Sequence, residues 1–263
     1  ENEEQIPDEG KNSPVTVKGD IAFENVWFAY NEEDWVLKDI SFKARHGETI
    51  ALVGATGAGK SSVINLISRF YDINEGAIRV DGNPIKSFDL ATLRKHVGVV
   101  LQDVFLFSDT IFQNITLGNP DISKEQVLYA ADLVGARRFI ERLPGGLEYD
   151  VKERGGTLSV GQRQLISFVR AMVYDPEIII LDEATSSVDT ETEELIQAAI
   201  EKMMHGRTSI IIAHRLSTIQ KADKIIVLNK GEIVEHGTHE ILLKKEGYYS
   251  QLYQMQLKSV VVD

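Results

Sequence analysis

Residues 49–53, Thr-Ile-Ala-Leu-Val, are apolar almost throughout and run directly into Gly54-Ala-Thr-Gly-Ala-Gly-Lys-Ser61, after which a helical pattern begins. A short strand with no polar alternation is one buried on both faces, the condition of a mainly parallel sheet. Glycines at 54, 57 and 59 let the following main chain turn tightly, with its amides converging on an anion. Lys60 adds an ammonium for phosphate oxygens, and Ser61 adds a hydroxyl that suits Mg²⁺. Strand, glycine loop and helix in this order predict an α/β core that holds a phosphorylated ligand at the C-terminal edge of its sheet.

The rest of the chain extends that core. Apolar runs at 97–101, 178–181, 209–213 and 225–228 read as further buried strands, and helical patterns at 61–68, 161–174, 193–204 and 216–222 alternate with them. Upstream, residues 21–30 and 36–42 alternate apolar with polar and are rich in aromatic and branched side chains, which predicts antiparallel strands. The interval 103–168 breaks the rhythm. It offers helices at 124–134, behind a Ser123/Gln126 capping box, and at 137–142 before Leu-Pro-Gly-Gly, with no convincing buried strand. It reads as a helical lobe inserted into the core, and there is no internal repeat, heptad run or low-complexity tract.

Composition narrows the function. The formal charge of -12 gives no positive field to gather nucleic acid, and the lack of cysteine excludes disulfides, thiolate metal sites and cysteine nucleophiles. No apolar run is long enough to span a bilayer, so the chain reads as soluble. Residues 1–13 are acidic, carry Pro and Gly, and read as a linker from a longer polypeptide, leaving 14–263 as the folded domain.

Ile178-Ile-Ile-Leu-Asp-Glu183 delivers two carboxylates at the end of a buried strand. Asp182 is placed to hold Mg²⁺ through water, and Glu183 to orient and deprotonate an attacking water, which together with a phosphate loop is what phosphoryl transfer requires. His214 ends the next apolar run and Gln102 closes the run 97–101, so polar groups from several strand ends converge on one edge. Thr157-Leu-Ser-Val-Gly-Gln-Arg-Gln164 reads as a helix start, with Ser159 as N-cap and Gln162 completing a capping box. Such an end presents backbone N–H groups and a positive dipole to an anion that this segment does not itself carry.

Tyr30, GATGAGKS, Gln102, LSVGQ, ILDEAT, the Ser186-Ser-Val-Asp189 after it and His214 stand in the order found in ATP-binding cassette (ABC) transporter ATPase domains, and the chain resembles that family over nearly its whole length. LSVGQ is similar to the family's signature, usually LSGGQ. The resemblance implies a P-loop NTPase core with a mainly parallel sheet, an N-terminal antiparallel β subdomain and the inserted α-helical subdomain at about 103–168. It also implies an ATP hydrolase on the cytoplasmic face of a membrane, whose two copies dimerise head to tail so that the signature of one caps the γ-phosphate held by the other.

By the same resemblance Tyr30 stacks on adenine, the amides of Gly57, Ala58 and Gly59 hold phosphates with Lys60, and Ser62 lies beside them. Mg²⁺ falls to Ser61, Gln102 and Asp182. Glu183 is the base and His214 the γ-phosphate partner, while Ser159, Gly161 and Gln162 serve the partner's ATP and Asp189 lies at the dimer seam. Tyr149-Asp-Val-Lys-Glu-Arg-Gly155 resembles the stretch with which exporters sense transmembrane domains, and Phe105 and Phe107 resemble the groove for a coupling helix.

Val160 departs from the family pattern, in which glycine leaves room for the γ-phosphate; valine adds two methyl groups and stiffens the backbone. The chain's own phosphate loop, Glu183 and His214 are intact. That combination resembles one half of a heterodimeric exporter, with the alternative a homodimer that tolerates valine. An ABC-type ATPase acting on DNA is disfavoured by the charge and by the lack of heptads and cysteine between Lys60 and Ser159. A small-molecule kinase leaves TLSVGQ unexplained.

Overall fold

The computed structural model describes residues 10, 16–31, 34–182, 190–213 and 215–260. The expected linker therefore lies outside the described residues apart from Gly10, and so do Glu183, Asp189 and His214.

In chain order the strands are β1 (Ile21–Ala29), β2 (Trp35–Ala44), β3 (Thr49–Val53), β4 (Glu75–Val80), β5 (Asn83–Pro84), β6 (Val97–Val100), β7 (Ile178–Asp182), β8 (Thr208–Ile212), β9 (Lys224–Asn229) and β10 (Glu232–Gly237). The helices are α1 (Lys60–Ile67), α2 (Leu90–His96), α3 (Ile111–Thr116), α4 (Lys124–Leu133), α5 (Arg137–Arg142), α6 (Val160–Met172), α7 (Thr190–Met204), α8 (Leu216–Lys221), α9 (His239–Lys244) and α10 (Tyr248–Val260).

Two sheets form. One is antiparallel, in the order β2-β1-β4-β5; the other has the order β10-β9-β3-β8-β7-β6 and is parallel except at the β10 edge. The central strands are apolar at nearly every position because both of their faces are covered. Ile50, Leu52, Ile178, Ile180, Ile210 and Ile212 point into a core shared with α1 and with Ile21, Phe23, Phe28 and Leu37 of the antiparallel sheet. Their neighbours Ala51, Val53, Ile179, Leu181 and Ile211 point the other way, against Ile166, Val169, Ile196 and Ala199 of α6 and α7. Alternate side chains of one strand thus serve two cores, as the period of two requires.

Between β6 and β7 the chain is helical. The Ser123/Gln126 capping box opens α4 as expected, and α6 starts inside the expected lobe and continues to Met172. The only pairing in this interval among the described residues is an isolated bridge between Thr110 and Asp150. No helix among the described residues is long and apolar enough to cross a membrane.

Candidate nucleotide site

Because β3, β8, β7 and β6 are parallel neighbours, their C-terminal ends share one edge of the sheet. β3 leads into the glycine loop and α1, β7 ends on Asp182, and β6 leads to the exposed Gln102. The expected convergence on this edge is thus present for Lys60, Ser61, Asp182 and Gln102.

The loop is shaped by close approach. Gly59 is the N-cap of α1 at φ 103°, in the left-handed region that favours glycine, and a Cβ there would meet Leu37 Cδ2 of β2 at 2.6 Å and push that side chain aside. Ala58 is buried, whereas Gly57 faces open space and lines a groove of about 470 Å³ with Asp34, Trp35, Val36, Lys38 and Lys230. Lys38 and Lys230 give that groove a positive bias suited to an anionic ligand.

Lys60 turns back on its own loop, where Nζ donates to the carbonyls of Gly54 at 2.7 Å and Ala55 at 2.9 Å. Burial lowers its pKa from the usual lysine value, and the charge of Asp182 works against that shift. The ammonium and the carboxylate therefore feel one another across the sheet edge. Ser61 is exposed in the first turn of α1 and Asp182 is partly exposed. A hydroxyl, a carboxylate and the Gln102 amide form an all-oxygen donor set that fits Mg²⁺ rather than a softer metal. Among the described residues no cluster of three or more His, Cys, Asp or Glu side chains could hold a metal.

Tyr30 follows β1 and is 44% exposed. Its hydroxyl shares a hydrogen bond with Ser62 Oγ at 3.1 Å and accepts one from Asn65 Nδ2 at 3.2 Å, both on α1. Edge contacts with Phe28 at 4.7 Å and Tyr71 at 4.9 Å fix the ring. The result is a braced aromatic surface beside the loop. Ser62 is buried with its hydroxyl on Tyr30, so it braces the ring. Tyr71 and Asn65, which complete the brace, carry no local sequence signal; only the fold brings them to Tyr30.

The signature helix is built as its residues suggest. Ser159 Oγ accepts from the Gln162 amide at 3.2 Å, and Gln162 Oε1 accepts from the Ser159 amide at 3.0 Å. Gly161 is buried against α7, where an added Cβ would meet Thr192 Cγ2 at 2.0 Å. That close approach leaves Val160, 42% exposed, as the side chain at the free end of the helix. On the buried side Gln164, which sequence reading passed over, lines a small gap with Asp182, so the helix that begins at Ser159 also borders the strand-end carboxylate.

The family model described as ABC transporter matches residues 37–186. The chain is 52% identical over 93% of its length to the uncharacterized ABC transporter ATP-binding protein YknV of Bacillus subtilis, covering 41% of that protein. It is 49% identical over 95% of its length to an ATP-dependent lipid A-core flippase of Mannheimia succiniciproducens, of which it covers 43%. Among solved structures it is similar to a bacterial Atm1-family ABC exporter with ATP bound, with a TM-score of 0.84, 40% identity, and coverage of 93% of this chain and 43% of that one. The chain thus spans about two fifths of the length of these relatives. The glycine loop, the strand-end carboxylate, the capped signature helix and these likenesses agree: the chain belongs to the ABC transporter family, as its ATP-binding and ATP-hydrolysing domain.

Proposed function

We propose that this domain binds Mg-ATP on its own glycine loop, completes the site with the signature helix of a second ABC ATPase domain arranged head to tail, and hydrolyses the ATP to drive export. The observation that carries this reading is the exposed start of α6. A reciprocally capped helix end with a positive dipole, firmly packed against α7 through Gly161, is an anion site that needs a ligand supplied from outside.

In this reading adenine lies on the braced Tyr30 ring, and the amides of residues 57–59 receive the phosphates. Lys60 exchanges its two loop carbonyls for β- and γ-phosphate oxygens. Ser61, Gln102 and Asp182 would hold Mg²⁺, which when bound supplies charge neutralisation of the phosphates. Glu183 takes the proton of the attacking water as its oxygen bonds to the γ-phosphorus and the bond to the β–γ bridging oxygen breaks, releasing ADP and inorganic phosphate. His214 contacts the γ-phosphate, and Asp189 lies between the two domains.

Val160 weakens the cap that this chain offers, so the partner is a non-identical ATPase domain with the better signature. Transmembrane domains seat coupling helices against Phe105, Phe107 and residues 149–155, which places the domain at the cytoplasmic face of a membrane. Residues 1–13 are the linker toward them, and residues 103–168 are the inserted helical subdomain. The test is ATP hydrolysis by this chain alone against its concentration. Weak activation is expected, and strong second-order activation would favour the homodimer instead.

A further inference from the structure

Residues 105–107 form an aromatic finger. Phe105 and Phe107 are each 54% exposed, with their rings edge to face at 4.9 Å, while Leu106 between them is fully buried. Two side chains from elsewhere, the buried Asn114 and the partly buried Arg170, hold the finger's backbone. Asn114, in α3, accepts from the Phe107 amide at 2.8 Å and donates to the carbonyls of Phe107 and Thr110, both at 3.0 Å. Arg170 reaches it from α6, about three helical turns beyond Ser159. Its Nε donates to the Asn114 carbonyl at 2.8 Å and its Nη1 to the Phe105 carbonyl at 3.2 Å.

Arg170 is an unusual choice for simple stability. Its Nη2 is buried with no hydrogen-bond partner, and no carboxylate lies within ion-pair distance among the described residues. Burial pulls its pKa below the ordinary guanidinium value. What guanidinium supplies and no apolar group can is a planar fork that fixes two carbonyls at once. A second tie runs in parallel: a Cβ on Gly155 would meet Leu106 Cδ1 and Arg163 Cδ, each at 2.9 Å, and Arg163 of α6 donates to the Leu158 carbonyl at 2.7 Å.

We propose that Arg170 is a positioning residue that locks the Phe105–Phe107 finger to the signature helix, so that a helix pressed on the two rings moves Ser159 and Val160 with it. The proposal rests on the reading of the finger as the seat of a transmembrane-domain helix. A helix transmits displacement along its length, and the fork converts movement of the Phe105 carbonyl into movement of α6 as a body. Leu106 and Gly155 limit the finger's freedom to slide without it.

The chain has no cysteine, so one can be placed and labelled cleanly. Phe107→Cys, modified with fluorescein maleimide, loads the finger with a bulky group in the full 263-residue chain. Hydrogen exchange of the amides of residues 160–163 is then compared with and without the label. With Arg170 present the label should change that exchange by about fivefold, and with Arg170→Met by less than about 1.5-fold, at a similar melting temperature. An equal response in both backgrounds, or none with Arg170 present, overturns the proposal. If Arg170→Met does not fold, Arg170→Lys decides. One ammonium cannot span both carbonyls at guanidinium geometry, so the response should fall by at least about half, and an undiminished response overturns the proposal. Failure of the functional reading shows separately, as absence of ATP hydrolysis, and leaves this exchange measurement intact.

Discussion

The ammonium of Lys60 sits 2.7 Å from the carbonyl of Gly54, the first glycine of its own loop. The loop thus satisfies its lysine internally, and a triphosphate must replace two neutral carbonyls with charged oxygens. The phosphate oxygens add charge-charge attraction that neutral carbonyls lack, so the exchange favours the ligand.

Burial lowers the Lys60 pKa in the free protein, and a bound triphosphate raises it again. Binding is therefore coupled to proton uptake between the two values, and affinity should fall as pH rises through the lowered, free-state pKa. Titration with a fluorescent ATP analogue from pH 7 to about 10 checks this. Lys60→Arg should flatten the alkaline loss, and Lys60→Ala should weaken binding at every pH.

The contact of Gly161 with Thr192 makes a second expectation. Gly161→Ala forces a methyl group onto Thr192 Cγ2, an overpacking that costs about 1–3 kcal/mol, and at this chain length each kcal/mol lowers Tm by about 2–4 °C. Thr192→Ser removes that methyl group and keeps the hydroxyl. The double variant should recover most of the lost melting temperature in a calorimetric scan.

Ser159→Ala removes the N-cap acceptor and should destabilise the helix start by about 0.5–2 kcal/mol. Urea unfolding measures this part. If the same hydroxyl serves a partner's nucleotide, ATP-dependent association should weaken by more than the stability loss accounts for, which analytical ultracentrifugation of the mixed domains reads directly.

Glu183→Gln should still bind ATP and Mg²⁺ but lose at least about a hundredfold in turnover, because the amide cannot accept the proton of water. Single-turnover phosphate release checks it. Unchanged hydrolysis would take the base assignment away from Glu183.

The core was legible because β3, β7, β8 and β9 are apolar at nearly every position, which only a doubly covered strand requires. β4 and β10 were not. β4 opens on exposed Glu75 and Gly76, and β10 alternates exposed with half-buried residues and buries none, so neither shows the apolar run of the central strands. The short helices α2, α3 and α9 and the polar α10 likewise owe their form to neighbours more than to a periodic stripe. At the site, the loop, Asp182 and the Ser159/Gln162 box could be read locally, since each is contiguous in sequence. The hydrogen bonds of Tyr30 to Ser62 and Asn65, the buried contact of Gly161 and the Arg170 fork join residues far apart in the chain, and no local pattern announces them.

The most direct test of the composite site is the ATPase rate per molecule of Val160→Gly, measured against protein concentration beside the unmodified chain. With the valine gone, the rate per molecule should climb steeply with concentration, while the unmodified chain should rise only weakly. A rate per molecule that stays constant over the whole range in both proteins would mean that a single subunit encloses its own ATP, and would contradict the account.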